Sequence, residues 1–141
     1  MYARYIPAPN LTDAYKCGHI YQYPLRTAEV YSNFTPRSDK LAPVKLTPLD
    51  DFAPFDGKLV WFGLQAFIQA FLIDNWNNTF FLRSRGSAVR AYTRRMDTFF
   101  GPGVVDANHL EALHDLQHLP IEIRALPEGS RVPMRVAPLT I

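Results

Sequence analysis

The side chains best suited to nucleophilic or metal chemistry in this chain are one cysteine and four histidines. Cys17 and His19 are two positions apart, and such positions on a helix do not share a face, so the spacing favours packing of Cys17 over a Cys–His nucleophile pair. Among His109, His114 and His118, only the last two have the i, i+4 spacing of helical metal ligands, and no cysteine or carboxylate completes a recognised set. Spacing therefore predicts no catalytic residue and no metal ligand.

Arginines within one short stretch form a second group of candidates, namely Arg83, Arg85, Arg90, Arg94 and Arg95. Such a run is typical of a solvated helix face, and a phosphate or RNA contact is the less common alternative. The chain has no glycine-rich phosphate loop and no G-x-S-x-G motif, and its net charge of +2 is small for a nucleic-acid-binding protein. Nucleic acid is therefore not the partner that we expect.

The elements that must position these side chains are short, because 12 prolines divide the chain. We expect an extended lead-in over residues 1–10, and then a helix that is capped by Thr12, runs to about Tyr21 and ends before Pro24. Asp13 would lie in the first turn of this helix, where the dipole favours a carboxylate.

The middle of the chain is predicted to contain three helices. Residues 58–75 are so apolar that their helix should be buried on most sides, with its end marked by Asn75, Asn77 and Asn78. Residues 86–100 form an amphipathic helix that Gly101-Pro102-Gly103 ends, and its inward stripe is Val89, Tyr92, Met96 and Phe99. The third helix covers 106–117 with Asp106 as its cap, and its stripe is Leu110, Leu113 and Leu116.

Alternating residues predict strands over 28–34, 121–126 and 132–141, with a turn at 127–129. Residues 35–56 hold four prolines at positions 36, 43, 48 and 54, and are predicted to be loop. Strands at both ends of the chain with helices between them indicate an α+β fold, in which helices pack on a small, mostly antiparallel sheet.

Length and composition bound the protein class. The 141 residues fit a single domain over 1–141, and the apolar stretch at 59–73 is too short to span a bilayer. A single cysteine and an N-terminus without a secretory signal favour a cytoplasmic location. Aromatic residues make up 13% of the chain, and those that look exposed, namely Trp61, Phe80, Phe81 and Phe100, indicate an interface.

Five segments, taken in order, resemble the N-terminal part of nicotinamide phosphoribosyltransferases. They are Thr12-Asp13-Ala14-Tyr15-Lys16, His19 with Gln22-Tyr23-Pro24, the run from Val30 to Arg37 (VYSNFTPR), Phe62-Gly63-Leu64-Gln65, and the run from His118 to Gly129 (HLPIEIRALPEG). The first and last of these are long enough to be fairly specific, and the resemblance extends from about Leu11 to Ile141, with 75–108 matching only loosely.

The resemblance implies an enzyme that condenses nicotinamide with phosphoribosyl pyrophosphate to give nicotinamide mononucleotide and pyrophosphate, a step of NAD salvage. Its fold would be that of type II phosphoribosyltransferases, an α/β barrel with a smaller α+β domain. Members of the family are dimers with active sites at the subunit interface, to which the N-terminal region lends residues. The full enzyme would use phosphoribosyl pyrophosphate with Mg²⁺, whereas this chain by itself is expected to hold no cofactor.

By the same resemblance, three residues are candidates for substrate binding. Tyr15 matches the tyrosine whose ring stacks on nicotinamide, Asp13 matches an aspartate beside it, and Arg37 matches an arginine that contacts phosphate. Without the family, Tyr15 would be interpreted as a partly buried helix tyrosine.

The sequence departs from the family at Arg135, where glycine is usual, and at Pro36, which precedes Arg37 and restricts Thr35.

Because the barrel is absent from these 141 residues, we expect the isolated chain to be inactive and to work in a homo- or hetero-oligomer with a barrel domain or subunit. The alternatives are a stand-alone, non-catalytic interaction module derived from this domain, and a small RNA- or phosphate-binding protein that uses the arginine stretch.

Overall fold

The computed structural model describes residues 6–41 and 55–141, and these form two compact units. The first unit contains the described residues up to Ala28 together with Gln65–Pro120, and the second contains those from Glu29 to Leu64 together with Ile121–Ile141. Helices make up the first unit and short antiparallel strands the second, which confirms the α+β class. The described residues form no closed barrel. The assignment of 1–141 to a single domain stays a prediction.

The first unit begins with two 3₁₀ helices, Ala8–Asn10 and Ala14–Gln22. The extended lead-in is therefore wrong at Ala8–Asn10, while residues 1–5 lie outside the described residues. Ala8 is buried and its N–H donates a hydrogen bond of 2.9 Å to the Thr79 hydroxyl, which ties this segment to a later helix. The second 3₁₀ helix confirms the helix predicted up to about Tyr21, but Asp13 occupies its N-cap position in place of Thr12 and does not lie in its first turn.

A long helix follows in three parts: α1, Leu64–Phe67, and two segments of wider π-helical turns, Ile68–Asn75 and Asn77–Phe81. The predicted bounds of 58–75 are wrong at both ends, because Lys58–Val60 is a strand and the asparagines lie inside the helix. Gly63 separates strand from helix at a φ of 94°, a conformation that glycine adopts without strain.

Burial of the long helix on most sides is also wrong. Its buried residues are Asn75, Thr79, Phe80 and Phe81, all in the C-terminal half. Phe67 and Phe71, in the N-terminal half, are about half exposed and contact each other with ring centroids 5.1 Å apart. The predicted exposure of Phe80 and Phe81 is therefore wrong, whereas Phe100 is exposed as predicted.

Two further helices complete the core of the first unit: α2, Arg85–Phe100, and α3, Asn108–Leu116. α2 ends as predicted at Gly101, whose φ of 99° lets its N–H donate to the Asp97 carbonyl. Asp106 is not the N-cap of α3, although its carboxylate accepts a 2.8 Å hydrogen bond from the Asn108 N–H. The core cluster consists of Phe80, Phe81, Ala88, Val89, Tyr92, Met96 and Leu110.

Two of the predicted inward side chains do not belong to that core. Phe99 is 54% exposed and Leu116 is 51% exposed, because each lies in the last turn of its helix, beyond the residues that pack together. The other members of the stripes, including the half-buried Leu113, contribute to the core or pack against it.

The second unit contains five short strands: β1 Asn33–Phe34, β2 Lys58–Val60, β3 Arg124–Ala125, β4 Arg131–Pro133 and β5 Leu139–Thr140. They pair antiparallel in the orders β1-β5-β3 and β2-β4. Each predicted strand is shorter than expected, and the last one divides into β4 and β5 around a turn. The predicted turn at 127–129 is confirmed, with Gly129 at a φ of 88°.

The predicted loop lies only partly within the described residues, since 42–54 fall outside them. Residues 35–41 contain no helix or strand, as predicted. Along the described parts of the chain, every helix is too short or too polar to cross a bilayer.

Candidate functional site

Two of the three candidate residues lie on the 3₁₀ helix Ala14–Gln22. Asp13 is its N-cap residue and Tyr15 is in its first turn. The Tyr15 side chain is 69% exposed, so the interpretation of Tyr15 as a partly buried packing residue is wrong. An exposed aromatic side chain beside a carboxylate can bind a flat, polar ligand ring. The aromatic side chain stacks on the ligand, and the carboxylate accepts hydrogen bonds from it.

Lys16 connects these two side chains. Its ammonium Nζ lies 3.1 Å from Asp13 Oδ2 and 5.7 Å from the centroid of the Tyr15 ring, over which it is placed. The hydrogen bond to Asp13, followed by electrostatic interactions with Tyr15 and Asp13, raises the pKa of the Lys16 ammonium. The amine therefore remains a cation throughout the physiological pH range.

His19 contacts the same tyrosine from one turn further along the helix. The two ring centroids are 5.7 Å apart and the ring planes meet at 61°, an edge-to-face arrangement. Tyr15 thus has a cation and an imidazole as neighbours, and still exposes most of its surface.

Cys17 belongs to the other side of this helix. It is half-buried and packs against the core cluster, which agrees with the packing interpretation. Burial raises the pKa of the neighbouring Tyr92 phenol to about 12, and Cys17 adds to this shift. Tyr92 is therefore a neutral hydrogen-bonding group and not an ionised nucleophile at physiological pH.

An apolar cleft of about 560 Å³ adjoins this side of the helix. Aromatic side chains line much of it, namely Phe67, Phe71, Trp76 and Tyr92, and Lys16 and Cys17 contribute from the 3₁₀ helix. His109 also lines the cleft, and burial lowers the pKa of its imidazole, so this ring is neutral at pH 7. The cleft therefore offers hydrophobic contact, and among the described residues that line it Lys16 is the one lysine or arginine.

The third candidate, Arg37, belongs to the second unit and is exposed. It directly follows Pro36, whose carbonyl accepts a 2.8 Å hydrogen bond from the Arg135 N–H. Arg135 has a φ of 66°, the left-handed conformation that favours glycine. The segment that carries Arg37 is thereby attached to the turn between β4 and β5.

The remaining histidines have structural partners. His114 is buried, with Nε2 2.9 Å from the Arg83 carbonyl, and the His109 ring meets Tyr92 edge-to-face at 5.9 Å. Within residues 6–41 and 55–141, no three His, Cys, Asp or Glu side chains are grouped closely enough to hold a metal ion.

The arginine stretch lies on exposed positions, as predicted for a solvated helix face. Arg85 Nη1 forms an ion pair of 3.1 Å with Asp115 Oδ2 of α3, and the Arg95 guanidinium lies 5.1 Å from the Phe99 ring centroid. These contacts give two of the arginines a role within the first unit.

No protein-family model matches the chain. A nicotinamide phosphoribosyltransferase of Acinetobacter baylyi (strain ATCC 33305 / BD413 / ADP1) is 54% identical over 132 residues. The match covers 94% of this chain and 25% of the relative, so the chain spans about a quarter of that protein's length.

Proposed function

We propose that this chain belongs to the nicotinamide phosphoribosyltransferase family, that it forms part of such an enzyme, and that it supplies substrate-binding side chains to a site that a barrel completes. The identity of 54% over nearly the whole chain is the observation that carries this proposal. The reaction would join nicotinamide to the ribose of phosphoribosyl pyrophosphate and release pyrophosphate, one step in NAD biosynthesis. A cytoplasmic location and an oligomeric enzyme belong to the same proposal.

Tyr15 would form one wall of the nicotinamide site. A pyridine ring has two flat faces, and stacking on an aromatic side chain contributes on the order of 1 kcal/mol beyond simple burial. The 69% exposure of Tyr15 supports this role, because its contacts with Lys16 and His19 leave most of the residue accessible to a ligand. Asp13 would accept hydrogen bonds at the edge of this wall.

Arg37 would bind phosphate. A guanidinium carries a permanent charge and forms paired hydrogen bonds to phosphate oxygens. Because the leaving group is pyrophosphate, positive groups that hold it stabilise the developing charge. The described residues offer no group of metal ligands, so Mg²⁺ in this proposal is bound by the substrate phosphates and by residues of the barrel.

The experiment that tests the proposal is a chimera in which this chain replaces the matching quarter of the Acinetobacter enzyme. We expect the chimera to form nicotinamide mononucleotide and the isolated chain to form none. Turnover by the isolated chain, or an inactive but folded chimera, would contradict the proposal.

Arg37→Ala in the chimera should raise the KM for phosphoribosyl pyrophosphate about tenfold or more, since a charged hydrogen bond contributes about 1.5–3 kcal/mol. The KM for nicotinamide should change much less. Lys40→Ala is the matched control, because Lys40 is an exposed cation three positions further along the same unit. Equal effects of the two substitutions on the KM for phosphoribosyl pyrophosphate would show that Arg37 adds only to the net positive charge and does not contact a phosphate group.

The stand-alone interaction module is the second candidate, and the exposed apolar side chains around the cleft favour it. Under this alternative the chain binds a partner through its apolar surface, and the chimera has no activity. The chimera therefore distinguishes the two functions.

A further inference from the structure

The 3₁₀ helix Ala14–Gln22 has a periodicity that an α-helix lacks. With three residues per turn, positions three apart lie directly above one another, so Asp13, Lys16 and His19 follow one row along the helix. Tyr15 stands beside this row and contacts Lys16 and His19. Contacts along this helix thus link a carboxylate, a cation, a tyrosine ring and the half-buried imidazole of His19.

Lys16 is the member of this group that contacts both candidate substrate-binding side chains. Its Nζ is 3.1 Å from Asp13 Oδ2 and 5.7 Å from the Tyr15 ring centroid, which is within the range of a cation–π contact. The side chains of Lys16 and Asp13 are 48% and 62% exposed, and an ion pair of that exposure adds little to folding stability. Substituting Lys16 can therefore change the positions of Asp13 and Tyr15 without changing the stability of the fold.

An exposed tyrosine ring samples several rotamers, and a ligand that stacks on it must restrict the ring. Restricting the ring costs conformational entropy. A contact within the chain that already restricts it reduces the entropy lost on ligand binding and so increases affinity. Lys16 and His19 together limit the Tyr15 ring from two neighbouring positions.

We propose that Lys16 is a positioning residue, which holds the Tyr15 ring and the Asp13 carboxylate in the arrangement that binds the nicotinamide ring and does not itself contact the substrate. This inference rests on the proposed function. It assigns a role to the residue that contacts both Asp13 and Tyr15.

Lys16→Met in the chimera tests the proposal, because methionine keeps the apolar stem and removes the charge. We expect the KM for nicotinamide to rise about two- to fivefold, the effect that an exposed cation–π contact supports, with kcat and the KM for phosphoribosyl pyrophosphate nearly unchanged. Lys16→Arg should restore most of the affinity, because the guanidinium keeps both the charge and the cation–π contact.

Arg94→Met is the matched control, since Arg94 is an exposed cation of the same unit on α2, and it should leave both KM values unchanged. The melting temperature of each isolated variant chain should also stay unchanged. A normal KM for nicotinamide in Lys16→Met, or a rise in the KM for phosphoribosyl pyrophosphate of the same size, overturns the inference.

Tyr15→Ala separates this inference from the proposed function. If Tyr15→Ala raises the KM for nicotinamide and Lys16→Met does not, only the positioning role of Lys16 is wrong. If neither substitution changes that KM, or if the unsubstituted chimera is inactive, the proposed function itself is wrong.

Discussion

At the scale of single residues, Arg135 has a conformation that does not suit its side chain. Its φ of 66° costs a non-glycine residue about 1–2 kcal/mol, whereas a glycine would lose about 0.5–1 kcal/mol through its more flexible unfolded state. We therefore expect Arg135→Gly to raise the free energy of unfolding by roughly 0.5–1 kcal/mol, measured by denaturant unfolding of the chain.

The adjacent residue provides the control for this substitution. Val136 lies in the same turn and has no positive φ, so Val136→Gly should lower the free energy of unfolding by a similar amount. If Arg135→Gly destabilises the chain as Val136→Gly does, the guanidinium contributes more than the backbone strain costs.

The residues of the candidate site were predictable from sequence to different degrees. Asp13, Tyr15 and Arg37 were identified only through the family resemblance, because a single aspartate, tyrosine or arginine has no spacing signal of its own. The contact of Lys16 with Asp13 and Tyr15 was missed, although the i, i+3 spacing of Asp13 and Lys16 is visible in the sequence. The contact of Lys16 with the adjacent Tyr15 gives no spacing signal, because neighbouring residues on a helix do not share a face.

At the scale of elements, the long helix contributes to the core mainly through Phe80, whose side chain is fully buried. Its ring meets Trp76 and His114 edge-to-face, with centroids 5.3 Å from each. We expect Phe80→Ala to lower the free energy of unfolding by about 3–5 kcal/mol through the cavity it leaves.

Leu82 is the control for Phe80, because it lies two residues away and is 77% exposed. Leu82→Ala should change the unfolding free energy by less than about 0.5 kcal/mol. Equal losses for the two variants in denaturant titrations would contradict the burial pattern of this helix.

Elements defined by local signals were predicted well, and those defined by distant partners were not. α2 was predicted to within one residue, because its apolar period and its glycine stop lie within the element itself. Lys58–Val60 was assigned to a helix because its apolar residues fit either structure, and its strand conformation depends on pairing with β4, far along the chain. The short β1 and β3 likewise depend on β5 between them.

At the scale of the whole molecule, the isolated chain has an apolar surface that can associate with other molecules. The terminal strand β5 does not provide it, since β1 and β3 pair with both of its edges. Phe67 and Phe71 provide this apolar surface, because they contact each other at the apolar cleft and are 50% and 48% exposed. Sedimentation of the isolated chain should therefore show self-association that increases with concentration.

Substituting both phenylalanines by lysine should shift this association to at least tenfold higher concentration, since each removes an apolar contact worth more than about 1 kcal/mol and adds charge. Leu25→Lys is the control, because Leu25 is 97% exposed and does not line the cleft. A chain that stays monomeric at high concentration, or equal effects of the two substitutions, would show that this surface does not drive association.

The central claim is that the exposed Tyr15 ring forms one wall of a nicotinamide site, and the KM for nicotinamide of the Tyr15 variants tests it most directly. In the chimera with the Acinetobacter enzyme, Tyr15→Ala should weaken nicotinamide binding by about 1–3 kcal/mol, tenfold or more, while Tyr15→Phe keeps the stacking ring and most of the affinity. Because Tyr15 is 69% exposed, the melting temperature of the isolated chain should not change in either variant. A Tyr15→Ala variant that melts earlier but retains a normal KM for nicotinamide would contradict the account, since Tyr15 would then serve only the fold.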